Sequence, residues 1–431
     1  MSTADLDPGL AGVGELLGRR RRTTRARALT RGRIAQALVR GMVDRLPVRL
    51  QTPDGVVVGG GDGDSPLLLV HDPAAFFRRL EAHPKIGLGE GFMAGEWGVA
   101  PGTDLGDALT PFAASLTSLI PKPLQALRGV VDVALPHAQR NTPEGSRANI
   151  AAHYDLSNEL FTHFLDESMT YSSALFEAGR PWAAQSLTEA QHRKIDAVLD
   201  AALVAPGSRV LEIGTGWGEL ALRAAARGAR VVTITLSQEQ AALARERVSA
   251  AGLDDLVEIR LQDYRSVTGE FDAVVSVEMI EAVGEEYWPA YFATIDRVLA
   301  PSGVACIQAI LMEHHRFLAT RNSFGWIQKH IFPGGLIPSL PAVREVVGHH
   351  TALRVTNVHT FGQHYAETLR RWRTRFDEQW PTIATFGFDE TFRRMWDFYL
   401  AYCEAGFRTG YLEVAHVTLA RSPGTATGET P

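Results

Sequence analysis

The sequence predicts an α/β protein with a doubly wound, mostly parallel sheet, because strand-like and helix-like segments alternate over its second half. Five short apolar runs have strand character: 210–213, 230–236, 257–261, 271–277 and 303–310. Alanine-rich segments with helical character follow the first two runs. Such alternation places parallel strands side by side, and ligands bind beyond the carboxyl ends of those strands.

The glycine-rich segment after the first strand predicts a nucleotide site. Gly214, Gly216 and Gly218 allow a tight turn and a close approach of the backbone to a ligand at a helix N-terminus. The spacing is G-x-G-x-G, and Glu219 stands where the dinucleotide fingerprint has its third glycine. This shorter pattern resembles that of S-adenosylmethionine (SAM)-dependent methyltransferases. We therefore predict a Rossmann-like SAM-binding fold, with a NAD-binding or purely structural Rossmann unit as the alternative.

The composition places the chain among globular proteins. Its 431 residues, 45% of them hydrophobic, are enough for a sizeable core and more than one domain. No apolar run approaches the roughly 18 residues of a membrane span, and Asp5 and Asp7 stand where a signal peptide would be basic and then apolar. Cys306 and Cys403 are too few and too far apart for a disulfide framework or a zinc site. We expect a cytoplasmic protein with two reduced cysteines and no metal.

Positive charge is concentrated at the N-terminus although the net charge is −6. Residues 1–50 hold eleven Arg and four acidic residues, and 31–50 carry apolar side chains at roughly helical spacing. A basic amphipathic arm favours peripheral docking on an anionic membrane, here the inner face of the cell membrane. A solvated arm beside an ordinary docked helix, or a contact with nucleic acid, are the alternatives.

Four regions are predicted along the chain. Residues 1–49 form the basic arm, 50–141 a smaller α+β domain that binds lipid substrate or membrane, 142–421 the SAM-dependent methyltransferase domain, and 422–431 a disordered tail. Further helices are expected at 149–154, 156–164, 186–199, 368–380 and 392–407, and a last strand at 414–420.

The smaller N-terminal domain has a different local pattern. We expect a β-hairpin from 56–58 and 67–70, then a helix at 73–82. The glycine-rich segment 86–97 follows and is expected to be flexible. The apolar segment 110–135 is interrupted by prolines and predicts two helices around a turn. These helices either line a channel for a lipid chain or pack in a core.

From residue 86 to 421 the chain resembles the cyclopropane-fatty-acyl-phospholipid synthases and the related mycolic acid methyltransferases. The segments that carry the likeness are, in order, IGLGEGFMAGEW, AHYDLSNELF, MTYSSALF, VLEIGTGWGEL, TLSQEQ, LQDYR, VSVEMIEAVG, WIQKHIFPGG and FGQHY. The local sequence is most similar to actinobacterial members that make methylene or 10-methyl branched acyl chains. The resemblance implies SAM-dependent methylation of an unsaturated acyl chain in a membrane phospholipid.

The resemblance and the strand-end positions together give a predicted cofactor site. Its members lie in the loop before the first strand, in the glycine loop and after the second and third strands. They are Tyr171, Ser172, Glu212, Gly214, Thr215, Gly216, Gly218, Thr235, Leu236, Ser237, Gln240, Gln262, Asp263 and Tyr264. Asp263 is expected to accept a hydrogen bond from the adenine amino group.

The chemistry that the resemblance implies passes through a carbocation. An alkene is a poor nucleophile, so it must meet the methyl donor in a dry, oriented pocket, and aromatic faces can stabilise the resulting cation without capturing it. Six aromatic residues after the SAM strands are candidates, with core packing as the alternative for each: Tyr264, Phe324, Trp326, Phe332, Phe361 and Tyr365.

The resemblance further implies a bound bicarbonate as the base that removes the proton. Glu281, Tyr365 and the backbone of Ile310 match the groups that hold it. Ser173 and Gln308 replace the Cys and His of the family pattern, and both can donate a hydrogen bond but neither changes charge as His does. The predicted bicarbonate site is therefore altered.

The position from which the proton leaves decides the product. Loss after a hydride shift gives a methylene branch, a 10-methylene precursor of a 10-methyl chain, whereas loss during ring closure gives a cyclopropane. We favour the methylene branch, which requires a separate reductase to reach a 10-methyl chain. A small-molecule methyltransferase is the alternative of another class. A nucleic-acid methyltransferase is disfavoured because no N/D-P-P-Y-type motif follows the fourth strand, and homo-oligomer formation stays open.

Overall fold

The computed structural model describes residues 36–37, 39–119 and 158–422. The chain divides into two compact units, residues 1–111 and 112–431. Most of the predicted basic arm, the predicted helix at 149–154, the second of the two helices expected within 110–135 and the predicted tail lie outside the described residues. The four-region division with a boundary at 141 therefore stays a prediction.

The first unit contains a four-stranded sheet in the order β2-β1-β3-β4. Its strands are β1 (Arg49–Gln51), β2 (Val57–Val58), β3 (Leu67–Val70) and β4 (Trp97–Val99). The expected hairpin of 56–58 with 67–70 is wrong, because β1 lies between the two strands. It pairs with β2 in the antiparallel and with β3 in the parallel direction. The sequence prediction paired neighbours along the chain and overlooked the short strand before them.

Two helices of the first unit pack closely through glycine. Helix α1 (Pro73–Ala82) has the predicted bounds, and α2 (Pro84–Met93) replaces the flexible segment expected at 86–97. A Cβ at Gly87 would lie 2.7 Å from the carbonyl oxygen of Arg79. The glycine therefore permits close approach of the two helices rather than flexibility. Helix α3 (Leu105–Leu119) follows β4 along the chain and includes residue 111, at which the first unit ends.

The second unit is built on a seven-stranded sheet in the order β10-β11-β9-β8-β5-β6-β7. Its strands are β5 (Arg209–Ile213), β6 (Arg230–Thr235), β7 (Val257–Leu261), β8 (Phe271–Val277), β9 (Leu299–Met312), β10 (Leu353–Thr360) and β11 (Leu412–Arg421). The five strands from β5 to β9 run parallel, whereas β11 pairs with β9 and β10 in the antiparallel direction. The predicted α/β class with a mostly parallel sheet is confirmed.

The helices of the second unit precede, alternate with and follow these strands. They are α4 (Asn158–Phe164), α5 (Leu187–Ala201), α6 (Glu219–Ala226), α7 (Gln238–Ala250), α8 (Trp288–Val298), α9 (His314–Thr320), α10 (Trp326–His330), α11 (Leu340–His350), α12 (Gly362–Ile383) and α13 (Glu390–Arg408). Apolar clusters cover both faces of the sheet. Among the described helices, none is both long and apolar enough to cross a bilayer.

Helix α5 begins with a capping box. The side chain of Ser186 accepts a hydrogen bond from the backbone of Glu189 at 3.1 Å, and the Glu189 carboxylate accepts one from the backbone of Ser186. This pair satisfies two amide groups that the first turn of a helix leaves without partners. The box fixes the start of the helix that carries Lys194 into the interior of the unit.

We expect Ser186→Ala to lower the free energy of unfolding by about 1 kcal/mol, because the N-cap acceptor is lost. Ser186→Asp keeps an acceptor at the same position and should unfold close to the wild type. Urea unfolding followed by circular dichroism measures both variants. Equal loss of stability in the two variants would contradict a role for the cap.

Candidate active site

The glycine loop leaves β5 in a conformation that requires glycine. Gly214 has φ +102°, and a Cβ there would lie 2.6 Å from Cγ of Met279. The backbone amides of Gly214 and Thr215 both donate to the carbonyl oxygen of Ile234 on β6, at 3.0 and 3.1 Å. A Cβ at Gly216 would meet nothing within 4 Å. The loop is thus anchored at its start and borders open space where a cofactor fits.

Glu212 on β5 offers a buried carboxyl group beside that loop. Burial raises the pKa of Glu212 to about 8. A hydrogen bond from Thr233 and the charge of Lys194 act in the opposite direction and lower this pKa. Its Oε2 atom is buried and has no hydrogen-bond partner among the described residues. A buried acceptor of this kind favours a cationic donor. The ammonium group of a bound amino-acid moiety, such as the methionine part of SAM, fits this position.

The predicted cofactor residues after β6 form one hydrogen-bonded group. The hydroxyl of Thr235 donates to the side chain of Gln240 at 2.9 Å, and the backbone amide of Ser237 donates to the hydroxyl of Thr235. Ser237 caps α7 by accepting from the amide of Gln240. Leu236 lies between them and is partly buried. These residues are brought together at the carboxyl end of β6. The sequence predicts that cofactor-binding residues lie at this end of the strand.

The predicted residues after β7 lie in a tight turn. Asp263 caps this turn, and the guanidinium of Arg265 donates to both of its carboxylate oxygens at 2.8 and 2.6 Å. Gln262 donates to the carbonyl oxygen of Ser266. The ring of Tyr264 packs edge-on against another tyrosine, and burial raises its pKa to about 12. An adenine amino group at Asp263 would share an acceptor that already has a cationic partner.

The loop with Tyr171, Ser172 and Ser173 lies against a buried lysine that the sequence analysis did not single out. Lys194 on α5 donates to the hydroxyl of Ser172 at 2.6 Å. Burial lowers the pKa of Lys194 to about 8, and the charges of Glu278, Asp166 and Glu212 act in the opposite direction. In the sequence, Lys194 reads as a solvated residue of an amphipathic helix, so no local signal identifies it.

Glu278 is the centre of the predicted catalytic group, although the sequence analysis did not name it. Its carboxylate accepts from the backbone amide of Ser173 at 2.9 Å, from the amide nitrogen of Gln308 at 2.8 Å and from the hydroxyl of Tyr365 at 2.7 Å. Burial raises the pKa of Glu278, and these three hydrogen bonds and the charge of Lys194 lower it. Three of the predicted residues therefore converge on a carboxylate of the chain itself.

Ser173 contacts Glu278 through its backbone amide and not through its hydroxyl, which was the expected donor. Its hydroxyl donates to the carbonyl oxygen of Ala174, and its backbone amide makes the contact with Glu278. The replacement of Cys by Ser at this position therefore adds no side-chain donor to the group.

Glu281 lies beside Glu278 and has fewer donors. The backbone amide of Ile310 donates to Oε1 of Glu281 at 2.5 Å, whereas Oε2 is buried without a hydrogen-bond partner among the described residues. Burial raises the pKa of Glu281 to about 8, and the negative charge of Glu278 raises it further. Two neighbouring carboxyl groups in one interior cannot both ionise easily. The group with the single donor is the one that keeps a proton at neutral pH.

Gln308 is held in one orientation by the sheet. β9 and β11 pair so that Gln308 lies opposite His416, and the side-chain oxygen of Gln308 lies 2.9 Å from Nε2 of His416. Burial lowers the pKa of His416 to about 3, so the imidazole is neutral and its Nε2–H donates. The amide nitrogen of Gln308 therefore faces Glu278.

Aromatic side chains form a continuous wall near this group. The ring of Trp372 lies 5.3 Å from Tyr171 and 6.1 Å from Tyr365, and the hydroxyl of Tyr171 lies 2.8 Å from that of Tyr399. The ring of Phe332 lies 5.9 Å from that of Tyr399. Of the six predicted aromatic candidates, Tyr365 and Phe332 belong to this wall.

Three of the other four aromatic candidates pack against residues outside this wall. Tyr264 packs against Tyr291, Trp326 against Phe398 and Phe361 against His416, and Phe324 is buried.

The sequence of the chain matches a known family and is similar to two enzymes whose names state action on fatty acids or their phospholipids. The family model described as mycolic acid cyclopropane synthetase matches residues 141–417. A tuberculostearic acid methyltransferase of Mycobacterium tuberculosis is 52% identical over 391 residues, covering 90% of this chain and 91% of its own. A cyclopropane-fatty-acyl-phospholipid synthase of Escherichia coli K12 is 34% identical over 360 residues, covering 80% of this chain and 86% of its own.

Solved structures agree with the fold. A mycolic acid cyclopropane synthase complexed with SAH and CTAB has a TM-score of 0.58 at 31% identity, covering 66% of this chain and 98% of its own. A cyclopropane synthase from Mycobacterium tuberculosis has a TM-score of 0.59 at 30% identity, covering 67% and 99%. The predicted Rossmann-like, SAM-dependent methyltransferase fold is confirmed.

We expect Gly214→Ala to weaken SAM binding by about tenfold or more, because a left-handed φ costs a non-glycine residue roughly 1–2 kcal/mol and the new Cβ would displace Met279. Isothermal titration calorimetry measures the affinity. Gly207→Ala is the matched control: it has φ +84° but its Cβ would meet nothing within 4 Å. It should lose stability yet keep its SAM affinity, and an equal loss of affinity in both variants would contradict the assignment.

The raised pKa of Glu281, about 8 in the folded protein, predicts a pH dependence of stability. The folded state holds a proton that the unfolded state loses above its ordinary pKa, so this stability is present at low pH and is lost as pH rises towards 8. Glu281→Gln cannot titrate, and its stability relative to the wild type should be greater at pH 8 than at pH 5 by about 1 kcal/mol or more. Urea unfolding at both pH values measures this, with the exposed Glu286→Gln as a control that should not change the dependence. Parallel pH curves for Glu281→Gln and wild type would contradict it.

Proposed function

The chain belongs to the mycolic acid cyclopropane synthetase family and is a SAM-dependent methyltransferase, and from this premise we propose that it methylates the cis double bond of an unsaturated acyl chain in a phospholipid. The product proposed is a methylene-branched chain, a 10-methylene precursor of a 10-methyl chain. The observation that supports a methylene-branched product is the sequence identity to known enzymes. The chain is 52% identical to a tuberculostearic acid methyltransferase and 34% identical to a cyclopropane-fatty-acyl-phospholipid synthase.

The predicted cofactor residues are suited to hold SAM across the carboxyl ends of three strands. Glu212 offers an acceptor for the ammonium group, the glycine loop lets the backbone approach, and the groups after β6 and β7 offer polar contacts to the nucleoside. When bound, SAM supplies an electrophilic methyl group on its sulfonium, which the alkene takes up with release of S-adenosylhomocysteine.

The aromatic wall supports a reaction that passes through a carbocation. The ring of Trp372 lies 5.3 Å from that of Tyr171 and 6.1 Å from that of Tyr365. The hydroxyl of Tyr171 lies 2.8 Å from that of Tyr399. Aromatic faces attract a cation without forming a bond to it. The burial of Tyr365 and Trp372 also excludes water, which would otherwise capture the cation.

A bicarbonate held by Ser173, Gln308, Tyr365, Ile310 and Glu281 is the base that the family resemblance implies. In this chain each of the four donors already bonds a carboxylate of the protein: three bond Glu278, and Ile310 bonds Glu281. The donor set does not fit a further anion in this arrangement.

The setting proposed for the reaction is a membrane surface. The basic arm of residues 1–49 docks the chain as a peripheral protein on an anionic leaflet of the inner face of the cell membrane, where the phospholipid substrate lies. A separate reductase completes the 10-methyl chain.

Two other functions are alternatives to the methylene-forming methylation of a phospholipid. A cyclopropane synthase would form a ring from the same cation, and the identity to the enzyme of Escherichia coli favours it as the second candidate. A small-molecule methyltransferase would act on soluble acceptors.

We expect the purified protein to transfer methyl groups from SAM to liposomes of a monounsaturated phosphatidylglycerol, and not to soluble acceptors. The ring and the methylene product have the same mass, so proton NMR of the released chains separates them by exocyclic alkene signals against high-field ring signals. Saturated liposomes are the control. Ring signals would overturn the proposed product, and the absence of any lipid methylation would overturn the proposed function.

A further inference from the structure

We propose that the carboxylate of Glu278 is the base that removes the proton, in place of a bound bicarbonate. This inference rests on the proposed function, because it concerns the proton lost after methylation of the alkene. Glu278 follows directly after β8, at the edge of the sheet where the glycine loop begins. It is therefore placed on the rigid framework that carries the cofactor loop.

Three donors from distant parts of the chain hold this carboxylate. Ser173 lies in the loop after α4, Gln308 on β9 and Tyr365 in the first turn of α12. Their hydrogen bonds to Glu278 measure 2.7 to 2.9 Å. Three short hydrogen bonds to one carboxylate stabilise its charged form. The arrangement has the composition of an anion site, and the anion in it is the side chain of Glu278.

The donors are buried and already bond the carboxylate of Glu278. Ser173 and Gln308 are 0% exposed and Tyr365 is 6% exposed, whereas Glu278 keeps intermediate accessibility. A dissolved bicarbonate would reach these donors only by displacing Glu278. Its charge would then lie beside the charged carboxylate of Glu278, and like charges that are close together repel strongly in a low dielectric.

The backbone at Glu278 is held in an unusual conformation. Its φ is +50°, one of three positive values at non-glycine residues among the described part of the chain. Its backbone amide donates to the carbonyl oxygen of Gln308 at 2.8 Å. A left-handed conformation at a residue other than glycine persists where the surrounding structure enforces it, and such positions cluster at active sites. Here it directs the carboxylate into the donor group.

The step balances without a further reactant. The π electrons of the alkene form a bond to the methyl carbon, the C–S bond electrons go to sulfur, and the other alkene carbon becomes a cation. A hydride shift moves the cation to the methyl-bearing carbon. The carboxylate of Glu278 then takes a proton from the added methyl group, and the electrons of that C–H bond form the exocyclic double bond. Glu278 leaves the step protonated and returns the proton to water after product release.

Replacement of Glu278 by Gly tests the assignment. Glycine accepts the left-handed backbone without strain and opens a space lined by the three donors. We expect turnover on liposomes to fall by about 100-fold or more without added anions and to recover in part with added bicarbonate or formate, while wild-type turnover is unchanged by bicarbonate. Glu278→Gln is the matched control: it fills the same space, so its loss should not be rescued.

Two further measurements separate the possible outcomes. SAM affinity by calorimetry should match the wild type in both variants, which excludes a loss of folding. Titration with carbon-13 bicarbonate, followed by NMR, should detect binding to Glu278→Gly and none to the wild type, whatever the lipid product. The inference would be overturned if the turnover of the wild type depended on bicarbonate or if the wild type bound bicarbonate. Full activity of Glu278→Gly without added anion would also overturn it. A wild type that methylates no lipid would instead overturn the proposed function.

Discussion

The burial of ionisable side chains at the carboxyl ends of the strands is the constraint on which this site depends. Burial disfavours the charged forms of Lys194, Glu212, Glu278 and Glu281. The effective cost of an uncompensated buried ion is several kcal/mol, so each group must be hydrogen-bonded, paired or neutral. Glu278 has three donors and Glu281 has one. The arrangement of donors, fixed by the fold, therefore decides which of the two carboxyl groups carries the negative charge.

The sequence predicts the sheet better than the site. β7 and β8 have the predicted bounds because each is a short run with apolar character between turn residues. β10 was missed because it is an edge strand whose side chains are mostly exposed, so it carries no apolar run. The sequence around Glu278 does not identify it as a site residue either, because a single acidic residue after a strand is usually a solvated side chain. Its contact with Ser173 joins residues 105 positions apart, which no short motif encodes.

A base that belongs to the polypeptide differs physically from one that is bound from solution. The position of the Glu278 carboxylate is set by its own backbone and by three donors, so its distance to the acyl chain does not depend on the occupancy of an anion site. Such preorganisation avoids the entropy cost of binding a separate base. It also fixes which hydrogen of the cation lies within reach. A displaced or reoriented base is enough to move deprotonation from ring closure to the methyl group after a hydride shift.

The pairing of Gln308 with His416 explains why an amide serves at this position. His416 is neutral, because burial lowers its pKa to about 3, and its Nε2–H fixes the oxygen of Gln308. The amide nitrogen, which can only donate, then bonds Glu278 at 2.8 Å and the carbonyl oxygen of Ser173 at 3.4 Å. A histidine facing Glu278 would compete for the proton that the carboxylate must accept, since imidazole titrates near neutral pH. An amide stabilises the charge of Glu278 without competing for the proton, which leaves the carboxylate as the proton acceptor of this group.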